Sequence, residues 1–444
     1  MYRLHVGIDD TDSPDGMCTT YISCVIIQEL KSCGFSLEGH PRLIRLNPFA
    51  PHKTRGNGAV TFTVLAESPE DINTIKGIVL QVVAELAELD SERTNPGVVF
   101  YTGEITDEMR EFALSAIRLI LRIEDARRLA EKVGAEVHGF KKGRGIIGAL
   151  AAIGCPLDDS TYELLTYRVP ENYGKPRRID PESVARMDEA TGTETFDNID
   201  GDYIAIEPHT PCPILYGIRG ESPEVLLRAM EMVCVDEEIE RHCIFETNQH
   251  TDQHIQDAVR IADMETFGCY RVRGEVVDGP RVIEGGHVFF TLGDESGQIE
   301  CGAYEPTKDF RKIILELIPG DVVTVYGGIG AQGTLNIEKI HIESLADLYV
   351  EENPICTCGK RMKSAGRNKG FKCPSCGRRL RSSEKVRRAI ERPLTGGYYE
   401  VPTCARRHLS KQLVRMGISS PPFEATESSS TRQSAHFNKK WEDL

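Results

Sequence analysis

Three aspartates, Asp9, Asp10 and Asp12, directly follow a short apolar run that ends at Val6-Gly7-Ile8. Crowded carboxylates repel one another unless a cation lies between them, and Mg²⁺ shared with a nucleotide phosphate is a common solution. Met17-Cys18-Thr19-Thr20 then brings two hydroxyl groups to the start of a predicted helix, and a helix N-terminus favours phosphate. The alternative is an acidic turn that caps the helix. The neighbouring hydroxyl groups favour a metal and phosphate site.

Two basic loops that contain glycine could hold phosphates opposite such a metal. Glycine lets the backbone approach an anion, and Lys and Arg supply positive charge. Neither loop has the Lys-Ser/Thr ending of a Walker loop, and each alone could be a surface turn. The candidate phosphate-binding residues are Lys53, Arg55, Gly56, Asn57, Lys142, Gly143, Arg144 and Gly145.

Four cysteines near the C-terminus have the spacing of a zinc ribbon. Cys356 and Cys358 form a short first pair, and Cys373 and Cys376 form a second pair of the usual Cys-x-x-Cys type. Four thiolates around Zn²⁺ can replace the core that so short a segment cannot build. The alternative is four incidental cysteines, against which a glycine after each pair argues. We expect the basic residues around the site to face phosphate, namely Arg361, Lys363, Arg367, Lys369, Lys372, Arg378 and Arg379.

Other polar clusters give weaker indications. Asp197 could hold a cation, although a turn-forming Asp is the default interpretation. His250, Asp252 and His254 suggest a metal site, but their spacing also suits an exposed helix end. We expect the helix end.

The composition restricts the class of protein. The 444 residues should fold as three or four domains. No apolar run is long enough to span a membrane, and no signal peptide is recognisable. Most of the 14 cysteines stand alone in apolar stretches, which is typical of a reducing compartment such as the cytoplasm. The net charge is −15, yet 17 Lys and Arg residues face only three Glu residues between Pro354 and Met416. A basic module on an acidic body is typical of a protein that holds RNA at one end.

Hydrophobic periodicity then predicts the elements that carry these residues. Residues 1–135 alternate strands and helices as an α/β domain, and residues 136–265 contain a β-α-β unit that fits a ferredoxin-like α+β domain. Residues 266–346 contain five predicted strands with one helix between the third and fourth, the pattern of an OB-fold β-barrel that binds RNA. Residues 347–400 carry the zinc ribbon. Residues 401–444 are a basic segment with a Ser-rich end, Ser428-Ser429-Ser430, that we expect to be flexible.

Several strings together resemble the archaeal tRNA-isoleucine agmatidine synthetases (2-agmatinylcytidine synthetases), and the likeness extends over nearly the whole chain. Agreement over many segments is far more specific than any one motif. The strings are Gly7–Asp12, Met17–Thr20, Pro41–Asn47, Lys53–Ala59, Thr94–Gly97, Lys142–Ala152, Thr210–Ser222, Gly285–Phe290, Glu305–Lys308 and Ala405–Lys411.

The resemblance implies a fold and a reaction. The family arranges a kinase-like domain, a ferredoxin-like domain, an OB-fold and a zinc ribbon in that order. It replaces the C2 oxygen of the wobble cytidine of tRNA-Ile, anticodon CAU, with agmatine, and converts ATP to AMP and two phosphates. The modified base pairs with A, so AUA is read as isoleucine. By the same resemblance Thr19 is autophosphorylated, and Asp9, Asp10 and Asp12 bind Mg²⁺-ATP.

Such a reaction needs activation of a poor electrophile. Phosphoryl transfer to the C2 oxygen would make it a leaving group, and such transfer depends on alignment and charge neutralisation. The base that deprotonates agmatine is not identifiable from sequence. Asp197 is a candidate partner for the guanidinium end.

Two other functions remain open from the residues alone. A metal-dependent phosphohydrolase of the haloacid-dehalogenase type would also place Asp-x-Asp after its first strand, but Pro14 stands where that class has a threonine. A non-enzymatic RNA-binding adaptor would use the OB-fold and the ribbon but would leave the aspartates unexplained.

Overall fold

The first part of the chain forms one half of a large twisted sheet covered by helices on both faces. The computed structural model describes residues 1–366, 369–381 and 384–423, so predicted Arg367 and the Ser428–Ser430 end lie outside the described residues. In chain order the elements are β1 (Tyr2–Asp9), α1 (Thr19–Ser32), β2 (Ser36–Leu37), β3 (Arg42–Arg45), β4 (Gly58–Ala66), α2 (Pro69–Leu86), β5 (Gly97–Tyr101), α3 (Asp107–Arg118), α4 (Ile123–Val133), β6 (Glu136–Gly139) and α5 (Ile146–Gly154).

Alternation along β1 determines which side chains face which helices. Leu4, Val6 and Ile8 are fully buried against α1 and α2, as expected for a strand with helices on both faces. Helix α2 begins with a capping box in which Ser68 and Asp71 satisfy each other's backbone N–H groups. His5, Gly7 and Asp9 point to the opposite face because successive side chains alternate.

Helix α5 covers that opposite face at unusually close range. A Cβ at Gly7 would lie 2.2 Å from the backbone oxygen of Ala149, and one at Gly97 would lie 2.0 Å from the backbone nitrogen of Ile146. Glycine is the residue that permits so close a backbone approach. The N-terminus of α5 is therefore held directly over the ends of β1 and β5.

The second half of the sheet continues the first without a break. It adds β7 (Thr161–Arg168), α6 (Pro181–Thr191), β8 (Thr195–Phe196), β9 (Ile199–Asp200), β10 (Tyr203–Ile204), β11 (Ile214–Gly220), α7 (Pro223–Met232) and β12 (Ile239–Thr247). The strand order is β6-β5-β1-β4-β3-β12-β7-β11-β8, with β2 beside β4. The two halves meet where β3 pairs in parallel with β12. The Asn248 side chain extends this pairing, because it accepts from the backbone N–H of Arg45 at 2.8 Å and donates to its carbonyl at 3.0 Å.

A closed five-stranded barrel follows, with the fold predicted for this region. Its elements are β13 (Gln256–Ala258), β14 (Cys269–Val282), β15 (Val288–Gly293), β16 (Gln298–Ala303), α8 (Phe310–Leu315), β17 (Val322–Ile329) and β18 (Leu335–Ser344). Strand β14 pairs with both β15 and β17, and β16 pairs with β18, which closes the barrel, while β13 adds to its side. Phe290, Val325 and Ile340 are fully buried in its core.

The remaining strands are short. They are β19 (Leu348–Glu352), β20 (Lys363–Ser364), β21 (Phe371–Lys372), β22 (Arg379–Leu380), β23 (Val386–Ile390) and β24 (Gly397–Glu400). Strands β20 to β22 form a small sheet beside the four cysteines, and β19 pairs with β23. Strand β24 pairs with β18, after which the chain returns to the large sheet.

The turn after β12 joins the large sheet to the barrel. Lys339 of β18 is 1% exposed and lies 2.7 Å from both carboxylate oxygens of Asp252, and His254 lies 3.0 Å from Glu338. The expected exposed helix end at His250, Asp252 and His254 is therefore wrong. Both histidines are buried in a tight turn in which His250 and Asp252 adopt positive φ, because the barrel and the C-terminal segment pack over them.

Among the described residues, no helix has both the length and the apolar character needed to cross a bilayer.

Candidate functional site

A cavity of about 470 Å³ lies where β1, the loop before β4, the N-terminus of α5 and the second half of the sheet meet. Most of the residues predicted from the two basic loops and the acidic cluster line it. These are Asp9, Asp10, Asp12, Thr19, Lys53, Arg55, Gly56, Asn57, Arg144 and Gly145. Lys142 is exposed and Gly143 is buried behind the loop, and neither lines the cavity.

The three aspartates share one corner of the cavity. A Cβ at Gly148 of α5 would lie only 2.0 Å from the Asp9 carboxylate, so the helix leaves room for this carboxylate and no more. Asp10 adopts φ 59°, which turns its side chain toward Arg144 at 3.2 Å. Asp12 lies 3.3 Å from Arg55. One backbone turn thus brings three carboxylates to the lip of β1.

The electrostatics of this corner suit a cation. Burial and then the neighbouring charge of Asp10 raise the pKa of Asp9 well above its usual range. Burial also raises the pKa of Asp10 to about 6, although Arg144 opposes the shift. Burial raises the pKa of Asp12 against the opposing effect of Arg55. A divalent cation would relieve these costs, because it favours the ionised form of all three carboxylates, and the donor set of oxygens suits Mg²⁺.

Thr19 is the first residue of α1 and lies beside the acidic corner. Its hydroxyl group is buried and lies 2.9 Å from the hydroxyl of Thr11. The N-cap residue, Cys18, makes no side-chain capping hydrogen bond, and the first turn contains no acidic residue. The free N–H groups of this turn are therefore available to an anion.

The basic side chains that line the cavity also donate hydrogen bonds to backbone carbonyl groups of nearby loops. Arg55 donates to the carbonyl groups of Ser13, Gly16 and Met17 at 2.5 to 2.7 Å, so it closes the loop between the aspartates and Thr19. Lys53 donates to the carbonyl of Pro48, and burial and Arg407 lower its pKa.

A second group of polar side chains, absent from the sequence predictions, forms the opposite wall. Glu163 of β7 is 2% exposed and lies 3.2 Å from Arg45 and 3.0 Å from Arg219, and Gln249 donates to it at 2.6 Å. His408 also lines this wall. The available signal was the position of Arg45, Glu163 and Arg219 within or next to predicted strands, since charged residues are rarely buried without a partner.

Asp197 does not line the cavity. It is buried and forms an ion pair with Arg406, and it accepts a hydrogen bond from Thr403 at 3.1 Å. Burial alone would raise its pKa, but Arg406 and His250 lower it. The suggestion that Asp197 binds the guanidinium of a substrate is therefore wrong, because this carboxylate already has a cationic partner.

Family models match most of the chain. They are described as the TiaS TCKD domain over residues 5–142, the TiaS FLD domain over 143–254, an OB-fold nucleic acid binding domain over 270–343 and the TiaS C-terminal zinc ribbon domain over 353–394. The isoleucine-tRNA 2-agmatinylcytidine synthetase TiaS of Archaeoglobus fulgidus is 48% identical over 402 residues, which is 90% of this chain and 94% of the relative. The chain belongs to the TiaS family of isoleucine-tRNA 2-agmatinylcytidine synthetases.

Other members of the family agree with this assignment. The synthetase of Methanosarcina mazei is 45% identical, with 89% of this chain and 94% of the relative covered. Two solved structures superpose closely and each covers 95% of this chain and 100% of its own. The crystal structure of TiaS with its isoleucine tRNA and ATP has a TM-score of 0.88 and 46% identity, and that of TiaS with the same tRNA, AMPCPP and agmatine has 0.86 and 44%. The phosphohydrolase and adaptor alternatives are not favoured.

The four cysteines of the family's zinc ribbon converge on one point. Their sulfur atoms all lie within 4.8 Å of one another, with Cys356 3.6 Å from Cys376 and Cys358 3.5 Å from Cys373. Tetrahedral zinc with bonds of about 2.3 Å requires sulfur separations of about 3.8 Å. The short first pair, Cys356 and Cys358, therefore fits the metal as well as the second pair does.

Basic residues surround this cysteine site. Lys363, Lys369, Lys372 and Arg379 are exposed, whereas Arg361 pairs with Glu352 at 2.7 Å. Exposed cations beside a metal-supported loop are available to a polyanion.

Proposed function

We propose that this protein forms agmatidine at the wobble cytidine of tRNA-Ile with anticodon CAU, in an ATP-dependent ligase reaction that consumes agmatine and releases AMP and two phosphates. The observation that carries the proposal is the cavity that Asp9, Asp10, Asp12 and Thr19 line together. Two crystal structures of TiaS contain its isoleucine tRNA, one with ATP and the other with AMPCPP and agmatine, which supports the same substrates here. We place the reaction in the cytoplasm, where those substrates occur.

The proposed domains follow the sequence prediction. Residues 1–135 are the kinase-like domain, 136–265 the ferredoxin-like domain, 266–346 the OB-fold, 347–400 the zinc ribbon and 401–444 the basic C-terminal segment. Support for the ferredoxin-like unit is the chain order β7-α6-β8-β11-α7-β12, with β9 and β10 as a separate two-stranded sheet before β11. Helices α6 and α7 share one hydrophobic core on one face of these strands. Helix α5 belongs to the second unit by sequence and to the first by packing. The two units share one sheet because β3 pairs with β12.

We propose that Asp9, Asp10 and Asp12 hold Mg²⁺, which when bound would neutralise phosphate charge during transfer. Arg144 and the N-terminal N–H groups of α1 lie close enough to this corner to contact the phosphates of ATP. Lys53, Arg55, Gly56, Asn57, Lys142, Gly143 and Gly145 complete the proposed nucleotide-binding residues, with Lys142 able to reach ATP only from the rim.

We propose that Thr19 accepts the γ-phosphoryl group of ATP and that the β-phosphoryl group then passes to the C2 oxygen of the wobble cytidine, which releases AMP. Hydrolysis of phosphorylated Thr19 frees the second phosphate. Thr11 orients the Thr19 hydroxyl through their hydrogen bond. Phosphorylation of the C2 oxygen makes it a leaving group that the agmatine amine can displace. The base must leave the anticodon stack to reach the cavity, at a cost of a few kcal/mol that is smallest in a single-stranded loop.

We propose that the barrel and the zinc ribbon bind the tRNA. Phe49, from the loop that carries Lys53 and Arg55, packs against β17 so closely that a Cβ at Gly328 would lie 1.9 Å from its ring. Asn47 of the same loop donates to the carbonyl of Phe267 at 2.9 Å. A tRNA held by the barrel is therefore next to the loop that lines the cavity.

The test is mass spectrometry of tRNA-Ile after incubation with the protein, ATP and agmatine. We expect agmatidine at the wobble position, and only when all three are present. In parallel, γ-labelled ATP should label the wild-type protein and the Thr20→Val control but not the Thr19→Val variant. Thr20 is an apt control because its hydroxyl, also buried, instead contacts the sulfur of Cys18 at 3.0 Å. Persistent label on Thr19→Val would reject the role of Thr19, and an unmodified tRNA would reject the function.

A further inference from the structure

The imidazole of His408 enters the cavity from the C-terminal segment, more than 350 positions along the chain from the aspartates. Its Nε2 atom lies 3.3 Å from the position that a Cβ would take on Gly56. The glycine of the basic loop thus leaves room for this ring. His408 therefore belongs to the same cavity as Asp10 and Thr19 although its own loop belongs to neither half of the sheet.

The backbone around His408 is fastened on both sides. The His408 carbonyl accepts a hydrogen bond from the backbone N–H of His250 at 2.8 Å. On one side Arg407 stacks over the ring of Phe49, 4.2 Å from its centroid. On the other, Lys411 lies 2.7 Å from Asp159. A side chain on so constrained a backbone has a defined position, as a residue that acts at a reacting atom must have.

The surroundings keep the ring neutral and its nitrogens available. In the described part of the chain neither ring nitrogen has a hydrogen-bond partner. The titratable groups that face it include the cations Arg45 of β3, Arg219 of β11 and Lys53 of the basic loop, together with His250 of the turn after β12. Burial and these cationic neighbours lower the pKa of His408 well below its usual value. The imidazole is therefore an unoccupied proton acceptor at neutral pH.

The aspartates, Glu163 and the two other histidines that line the cavity are less suited to this role. The aspartates are the proposed metal ligands, and Glu163 already accepts from Arg45, Arg219 and Gln249. His52 and His209 also line the cavity but are exposed, and His209 lies 3.0 Å from the hydroxyl of Tyr203.

We propose, on the basis of the function proposed above, that His408 is the base that accepts a proton from the attacking amine of agmatine. The nitrogen of the neutral amine forms a bond to C2, and the bond from C2 to the phosphorylated oxygen breaks with its electron pair, releasing phosphate. The proton left on the new C–N nitrogen passes to a ring nitrogen of His408, and from there to solvent.

The test compares the full-length wild type with His408→Gln in single turnovers with tRNA-Ile, ATP and agmatine. Phosphoryl transfer is followed with γ-labelled ATP, and agmatidine by mass spectrometry. General-base catalysis contributes about 100-fold or more, so C–N bond formation should slow by about that factor relative to phosphoryl transfer. The wild-type rate should fall as the pH drops through the pKa of the imidazole, and this acid limb should be absent from the variant.

Chemical rescue by imidazole and a control variant distinguish loss of the base from a folding defect. Added imidazole should restore part of the agmatidine formed by His408→Ala. The control His138→Gln, on the outer strand β6, should behave as wild type. An unchanged rate or acid limb in His408→Gln would overturn the inference, as would a parallel loss of phosphoryl transfer. Failure of wild type to form agmatidine would instead reject the proposed function and this inference with it.

Discussion

A single charge determines whether the acidic end of β1 can hold a cation. Asp10→Asn keeps the size of the side chain but leaves two carboxylates in place of three. We expect consumption of ATP to fall by about 100-fold, the loss typical when one electrostatic group of a reaction site is removed, while tRNA affinity stays within about twofold because phosphate contacts dominate such binding. AMP release and filter binding measure the two effects.

The matched control for this change is Asp15→Asn, in the same loop but exposed to solvent. It should retain ATP use. Normal ATP turnover by Asp10→Asn, with tRNA binding lost, would reverse the proposed division of labour between the domains.

Single residues also determine how much of the site could be predicted. Asp9, Asp10, Asp12 and Thr19 lie within eleven positions of one another, so local spacing was enough to associate them. Glu163 and His408 reach the cavity only through tertiary packing, so neither could be associated with the aspartates from local spacing, although His408 lies in the string Ala405–Lys411. Nothing in the sequence indicated that Asp197 has an ion-pair partner, because Arg406 lies 209 positions away.

The glycines of α5 control the position of the acidic corner at the level of secondary-structure elements. Gly148→Ala would place a Cβ 2.0 Å from the Asp9 carboxylate and 2.8 Å from Leu46. We expect the helix or the carboxylate to move, with ATP use reduced more than about tenfold and stability lowered by about 1–3 kcal/mol, as in other overpacked sites. AMP release and thermal unfolding measure these effects.

Gly77→Ala in α2 is the corresponding control. Nothing lies within 4 Å of its Cβ position, so alanine should stabilise the helix by up to about 1 kcal/mol and leave activity unchanged. If both variants behave alike, the close approach of α5 is not needed for the reaction.

Elements with strong periodicity were predictable, whereas their associations were not. Helix α2 and strand β14 follow from local pattern because each buries one face. The single sheet that unites residues from β1 to β12 depends on the pairing of β3 with β12, which involves residues about 200 positions apart and has no local signature.

At the level of the full chain, two ion pairs, Lys339 with Asp252 and His254 with Glu338, join the barrel to the turn after β12 of the large sheet. Burial by itself would raise the pKa of Glu338, but His254, Arg407 and Lys339 lower it to about 2. Because the folded-state pKa is depressed, the ionised carboxylate stabilises the protein above its ordinary pKa and this contribution is lost as pH falls from about 4.5 toward 2. The shift corresponds to about 3 kcal/mol.

We therefore expect Glu338→Gln to unfold at a lower temperature than wild type at pH 7 and to show a weaker fall in the unfolding midpoint between pH 4.5 and pH 3. Thermal unfolding followed by circular dichroism gives both values. The control Glu275→Gln, exposed on β14, should match wild type. Equal pH dependence in the wild type and Glu338→Gln would contradict the assignment.

The zinc ribbon should contribute to tRNA binding and not to phosphoryl transfer. Cys373→Ser removes one of four converging thiolates, so we expect bound zinc to be lost and tRNA affinity to fall by about tenfold, with a shallower salt dependence because fewer phosphates are neutralised. Elemental analysis and binding at several salt concentrations measure these effects.

Cys33→Ser, at the exposed C-terminal end of α1, is the control and should keep both properties. Unchanged zinc content in Cys373→Ser would show that the metal site is assigned wrongly.

The pairing of β3 with β12 affects how a truncated form of the protein would behave. A fragment that stops near residue 155 would keep every proposed magnesium ligand and helix α5, but it would expose the outer hydrogen-bonding edge of β3. An unprotected edge invites intermolecular pairing. Insolubility of such a fragment would therefore reflect a missing neighbour strand, and would say nothing against the chemistry of its aspartates.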